Sequence, residues 1–199
     1  GTNGETTLNG KAKGAIAQYK DSLTVETGTK ITVTVKANDN TWANGEYFNI
    51  GLLNEAPNPA GTLSASGSGL ILKLQGTPAG AVIRYGKAPA EYSADANNIT
   101  TLVNYTTADK SADTFILTFE KTDSAASPWK LSAQIQGGPA ATEAFVPASA
   151  VPADAFDGGA WLFAGITSTA ATGSAAISAS VTVDITQPVP VPSSSEFWE

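Results

Sequence analysis

The chain has 199 residues, 42% of them hydrophobic and only 15% charged, with 18 acids against 11 bases and a formal net charge of −7. That length and apolar content suit one undivided domain with its own core, while an acidic balance without a Lys/Arg cluster disfavours nucleic acid and anionic membrane surfaces as partners. Cys, His and Met are all absent, which excludes disulfides, thiolate nucleophiles, Ser-His-Asp triads and imidazole or thiolate metal sites, and leaves oxygen donors that suit calcium.

Residues 1–20 are turn-rich, and a first edge strand is expected around Ala15 to Tyr19. In "KITVTVKA" (30–37), Ile31, Val33 and Val35 alternate with Thr32, Thr34 and Lys36; period two with β-branched side chains marks a half-buried strand. "EYFNIGLL" (46–53) is more continuously apolar, as a central strand covered on both faces would be. "GLILKLQG" (69–76) and "AVIRYGK" (81–87) flank Gly76, Pro78 and Gly80, which reads as a hairpin loop. "TTLVNYT" (100–106) follows a polar loop. "DTFILTFEKT" (113–122) sets Phe115, Leu117 and Phe119 against Ile116, Thr118 and Glu120, and "WKLSAQIQG" (129–137) is expected to pair with it across "DSAASP". Residues 138–159 are Pro/Ala-rich, a loop with one short helical turn expected around Pro152 to Phe156. "AWLFAGITS" (160–168) and "AISASVTVDIT" (176–186) close the pattern, and "QPVPVPSSSEFWE" (187–199) reads as a polyproline-like linker or tail.

About ten strands at roughly ten-residue spacing, without long helical periodicity, predict an all-β protein built as an antiparallel two-sheet β-sandwich of the jelly-roll type. The domain is expected to span 1–186. No apolar run reaches the roughly 18 residues of a membrane span, so no membrane insertion is expected. A chain without Met is expected to be a processed or recombinant piece of a larger polypeptide.

The hairpin "SGLILKLQG…AVIRYG", the pair "TFILTFEKTDSAASPWKLSAQIQG" and the closing "WLFAGITSTAATGSAAISASVTVDI" together resemble the concanavalin A-like sandwich superfamily of legume lectins, laminin-G-like modules and bacterial carbohydrate-binding modules. Gly165, Ile166, Thr167, Ser168 and Gly173 take the positions of that family's Gly-apolar-apolar-x-Thr/Ser-small-Gly strand. The resemblance covers about residues 20–186 and implies the fold. The lectin metal site, which needs a Glu-x-Asp pair and a His, has no counterpart here, and neither has the Glu-x-Asp-x-Glu run of the family's glucanases. Glu46, Glu55, Glu91, Glu120 and Glu143 stand isolated, so a retaining glycosidase, which needs two facing carboxyls, is not expected.

Trp42 sits in the polar stretch "NDNTWANGEY" with Asn40 and Asn44, and Tyr47 follows it. An aromatic among amides can stack on a sugar ring whose hydroxyls the amides bond, or it can fold back to cap the sandwich end. Tyr85 and Tyr92 flank "GKAPAE" and would either line a concave sheet face or sit in the core with a wet hydroxyl. Trp129 and Trp161 are expected in the core. Asp39, and Asp154 with Asp157 in "ADAFDGG", are the candidate calcium ligands, with turn or capping roles as their alternative. The expected function is a non-catalytic carbohydrate-binding or adhesion module, not an enzyme, of a secreted or cell-surface bacterial protein. Its partners would be a polysaccharide or glycan and neighbouring modules of the same polypeptide, with no required cofactor. A structural or protein-binding module, and a glycoside hydrolase or lyase, are the alternatives.

Overall fold

The computed structural model describes residues 2–10, 15–18, 22–37, 46–54, 69–77, 80–88, 100–106, 114–168 and 177–188. These contain twelve strands and no helix: β1 (Thr2–Gly10), β2 (Ala15–Gln18), β3 (Lys30–Ala37), β4 (Glu46–Leu53), β5 (Gly69–Thr77), β6 (Gly80–Ala88), β7 (Thr100–Thr106), β8 (Thr114–Lys121), β9 (Trp129–Ile135), β10 (Thr142–Val146), β11 (Trp161–Ser168) and β12 (Ile177–Thr186). They form two six-stranded antiparallel sheets. The first runs β1-β12-β3-β8-β9-β10 and the second β2-β11-β4-β5-β6-β7. The expected jelly-roll sandwich is therefore present.

Alternation explains how the first sheet buries one face. Ile31, Val33, Val35, Phe115, Leu117, Phe119, Leu131, Val181 and Val183 are buried and point at the second sheet. Ile50, Leu52, Leu70, Leu72, Leu74 and Leu162 meet them from that side. Each such side chain, fully buried, is worth about 1.5 to 3 kcal/mol of transfer free energy. Trp129 lies in this core as expected, 1% exposed, with its ring edge-to-face on Phe156 at a centroid distance of 5.0 Å.

β8 and β9 pair across "DSAASP", from Phe115↔Ile135 to Lys121↔Trp129. β5 and β6 pair from Gly69↔Ala88 to Thr77↔Gly80, and residues 78 and 79 of the expected hairpin loop lie outside the described residues. β4 lies between β11 and β5 and is buried on both faces, Asn49, Gly51 and Leu53 as well as Ile50 and Leu52.

Four features differ from the sequence reading. Residues 2–10 form β1, which pairs with β12 along its whole length. The backbone ladder holds it despite a polar, Gly-containing sequence. β10 arises inside the expected loop 138–159 and pairs with β9. The expected helical turn is a run of tight turns, Ala155 N–H to Pro152 C=O (3.2 Å), Asp157 N–H to Asp154 C=O (3.1 Å) and Gly159 N–H to Phe156 C=O (2.9 Å). Trp161 is half-buried rather than core. In β11 the interior series is Ala160, Leu162 and Ala164, and Trp161 belongs to the opposite one.

Candidate functional site

Of the six sugar-site candidates, Asn40, Trp42, Asn44 and Tyr92 lie outside the described residues, as does the metal candidate Asp39. Tyr47 is on β4, paired with Gln75 and Thr167, while Tyr85 is on β6, paired with Leu72. Asp154 and Asp157 are exposed in the 152–159 turns, and the Asp157 carboxylate lies 3.8 Å from Lys121 Nζ. Asp157 borders a depression of about 480 Å³ with Glu26 and Gly158. Among the described residues no three His, Cys, Asp or Glu side chains converge on one point.

The outward face of the second sheet is not an open platform at its described centre. Asn49, Leu53 and Ile71 are 0% exposed and Phe163 is 1% exposed. The chain itself covers them.

An open site lies on the other sheet. Phe145 of β10 is 57% exposed, the one large hydrophobic side chain so exposed among the described residues. Antiparallel register sets it opposite Lys130 of β9, and Lys130 opposite Glu120 of β8. These three share the outward face of the first sheet and form one row across three strands.

A groove of about 630 Å³ follows this row, lined by Phe145, Lys130, Glu120, Lys121, the 122–127 loop and the Thr27–Gly28 turn. The loop wall is fixed by local bonds. Thr122 Oγ1 donates to Ser127 C=O (2.8 Å) and accepts from Ser124 N–H (3.3 Å), and Thr122 N–H donates to Pro128 C=O (2.8 Å). Ala148 N–H donates to Ala126 C=O (2.9 Å), tying the end of β10 to the same loop. At the far end Gly28 turns the chain at φ 90°, a left-handed conformation natural to glycine, and its N–H donates to Lys121 C=O (2.8 Å). Thr29 secures this turn: its hydroxyl accepts from Glu26 N–H (3.0 Å) and donates to Gln187 Oε1 (2.7 Å), and Gln187 Nε2 donates to Thr24 C=O (3.0 Å).

The lysine charges at the groove are paired. Lys130 Nζ lies 2.9 Å from Glu120 Oε2 and 3.5 Å from Glu143 Oε1. The hydrogen bond to Glu120, aided by the field of both carboxylates, holds the Lys130 ammonium above the usual lysine value. Lys121 Nζ contacts Val25 C=O at 3.4 Å and lies 6.0 Å from the Trp129 ring centroid, beyond its pairing with Asp157.

Phe145 was not singled out from sequence, because 138–159 read as loop, while Glu143 stood only among the isolated acids and Lys130 as one residue of the strand "WKLSAQIQG". The alternation in "TEAFV", an acid and a Phe on one face of a short strand, was the available signal.

No protein-family model matches the sequence, and none of the curated proteins matches it. Solved structures do resemble it. The laminarinase from Flavobacterium sp. UMI-01 has a TM-score of 0.54 at 9% identity, over 92% of this chain and 79% of that one. The winged bean acidic lectin, solved with methyl-α-D-galactose, has a TM-score of 0.53 at 7% identity, over 93% of each chain. A GH43 glycoside hydrolase with an engineered active site has a TM-score of 0.50 at 12% identity, over 92% of this chain but 36% of that one. The chain thus has the concanavalin A-like sandwich fold that its strand pattern resembles.

Proposed function

We propose that the chain is a non-catalytic carbohydrate-binding module. The observation that carries this reading is the exposed ring of Phe145 beside the groove. A phenyl face offers a sugar the apolar half of a stacking contact, and the neighbouring carboxylates, hydroxyls and backbone groups suit its hydroxyls. The sandwich fold, shared with a lectin and a laminarinase, supports the same reading. A shallow groove of this kind suits weak affinity for a single ligand, on the order of 10 µM to 1 mM, with neighbouring modules of a secreted polypeptide raising it by avidity.

A hydrolytic reading has one point in its favour, since Glu120 lines the groove and Glu143 approaches the same Lys130. Lys130 nevertheless stands between them and contacts both, in the space where a glycosidic bond would have to sit for one carboxyl to protonate it and the other to attack.

The test is affinity electrophoresis of the wild-type chain and Phe145→Ala through gels holding soluble polysaccharides, with released reducing ends measured in parallel. The expected result is retardation of the wild type, none for Phe145→Ala, and no new reducing ends. Equal retardation of both proteins would remove Phe145 from the site, and steady turnover would overturn the non-catalytic assignment.

A further inference from the structure

Resting on that reading, we infer that the groove takes an internal stretch of about three residues of an electrically neutral polysaccharide, laid across the strands from Phe145 to the Thr27–Gly28 turn. The direction follows from the lining. Phe145, Lys130 and Glu120 come from β10, β9 and β8, and Thr27 and Gly28 lead into β3. These are successive neighbours in the sheet, in the order β3-β8-β9-β10. The ligand axis therefore crosses the strands. Three inter-strand steps of about 4.8 Å make about 14 Å, and each step is close to the length that one pyranose ring contributes to an extended chain. One end lies on β10, the last strand of its sheet, and the other on exposed Thr27 and Gly28. Among the described residues neither end is closed, so such a groove accepts a chain that continues past both.

Neutrality follows from the charge pairing. Anionic glycans are held by ammonium or guanidinium groups that are free to meet their carboxylates. Lys130 is already shared by Glu120 and Glu143, and Lys121 is engaged with Asp157 and the Val25 carbonyl. Lys30, opposite Glu120 on β3, lies outside the lining, as do Glu143 and Asp157. The lining itself carries two ammonium groups, Lys121 and Lys130, and two carboxylates, Glu120 and Asp123, so the groove has no cationic surplus. A uronate chain would meet exposed Asp123 and would have to strip Lys130 from its partners. A cationic glycan would find the carboxylates of Glu120 and Glu143 already occupied by Lys130 and only Asp123 left to meet it.

Calorimetric titration of the full chain tests this, using neutral gluco-, manno- and xylo-oligosaccharides of one to six residues, trigalacturonate and chitosan trimer. In at least one neutral series affinity should rise about tenfold or more from monomer to trimer and then level off, with trigalacturonate and chitosan trimer about tenfold weaker than that trimer. In the Glu120→Gln/Glu143→Gln double variant Lys130 loses both partners, and trigalacturonate should bind about tenfold more tightly than it binds wild type. Tighter binding of either charged trimer by the wild type, equal affinity for neutral monomer and trimer, or no gain in the double variant overturns the inference. If a charged trimer wins and its binding still needs Phe145, the carbohydrate-binding assignment stands and only neutrality falls. If no sugar binds, both fall together.

Discussion

The outward faces of the two sheets are built on different principles. On the first sheet, Thr32, Thr34, Ser132 and Gln134 alternate with core residues and stay partly open. This is the pattern of a sheet with one face in water. On the second sheet, Asn49, Gly51, Leu53, Ile71 and Phe163 are all buried although they point away from the first. β4 and β5 accordingly carry buried residues on both sides, and a glycine admits a neighbouring ring. A Cβ at Gly51 would overlap the Phe163 ring edge and come within 2.9 Å of Leu70 C=O. One sheet spends its outward face on packing, and the other leaves its own free for contact. The open groove lies on the second kind of face, beside the one exposed phenyl ring among the described residues.

The sharpest way to break this contrast is to disturb the buried outward layer. Phe163→Ala should cost about 3 to 5 kcal/mol, the loss of a buried ring plus its cavity. Gly51→Val should cost about 2 kcal/mol or more, since neither the ring nor the backbone carbonyl can yield freely. Thr34→Val on the first sheet should stay within about 0.5 kcal/mol. Urea denaturation of the three variants decides the matter. If Phe163→Ala costs no more than Thr34→Val, the outward layer of the second sheet is not packed and the contrast is lost.

The same contrast explains what the sequence made legible. Strands with one wet face announce themselves by alternation, as "KITVTVKA" and "TFILTFEK" do. The apolar run of β4 also disclosed burial on both sides. β1 carries no such signal in "TNGETTLNG", and its place shows in its backbone pairing to β12. Trp161 was misassigned for a related reason: in a strand apolar on both series, composition does not say which series faces inward. The groove was the least legible part. Phe145, Lys130 and Glu120 are 15 and 10 residues apart in sequence, and only the β8-β9-β10 register aligns them. The candidates chosen from sequence were aromatics in polar loops, and most of those lie outside the described residues.

A smaller effect tests the turn that closes the groove. Thr29 is 1% exposed and its hydroxyl serves two partners, the Glu26 N–H and Gln187 Oε1. Thr29→Val keeps the shape but leaves the Glu26 donor and the Gln187 acceptor without that oxygen, a loss of about 1 to 2 kcal/mol. Gln187→Ala in the Thr29→Val background should then cost less than it does alone, because the shared bond is already gone. Strictly additive losses would show that Gln187 does not anchor on this turn.

The smallest effect lies in the open groove and has a definite sign in pH. Lys130 gains carboxylate partners on folding, which raises its folded value above the unfolded one. Its contribution is therefore present in full below about pH 10, where the unfolded lysine is also protonated, and fades as pH rises through the raised folded value. Glu143 is 49% exposed and Glu120 29%, so solvent screening limits the gain to about 0.5 to 1 kcal/mol. The stability of wild type relative to Lys130→Met, measured by urea denaturation from pH 8 to pH 12, should hold steady and then decline at the alkaline end. Part of the alkaline loss is common to both proteins, and taking the difference removes it. Salt should shrink the same gap at pH 8, because the pair is partly exposed. A gap insensitive to both pH and salt would mean that Lys130 acts through the packing of its methylene stem beside Phe145, and the ionic account of this open face would then give way to an apolar one.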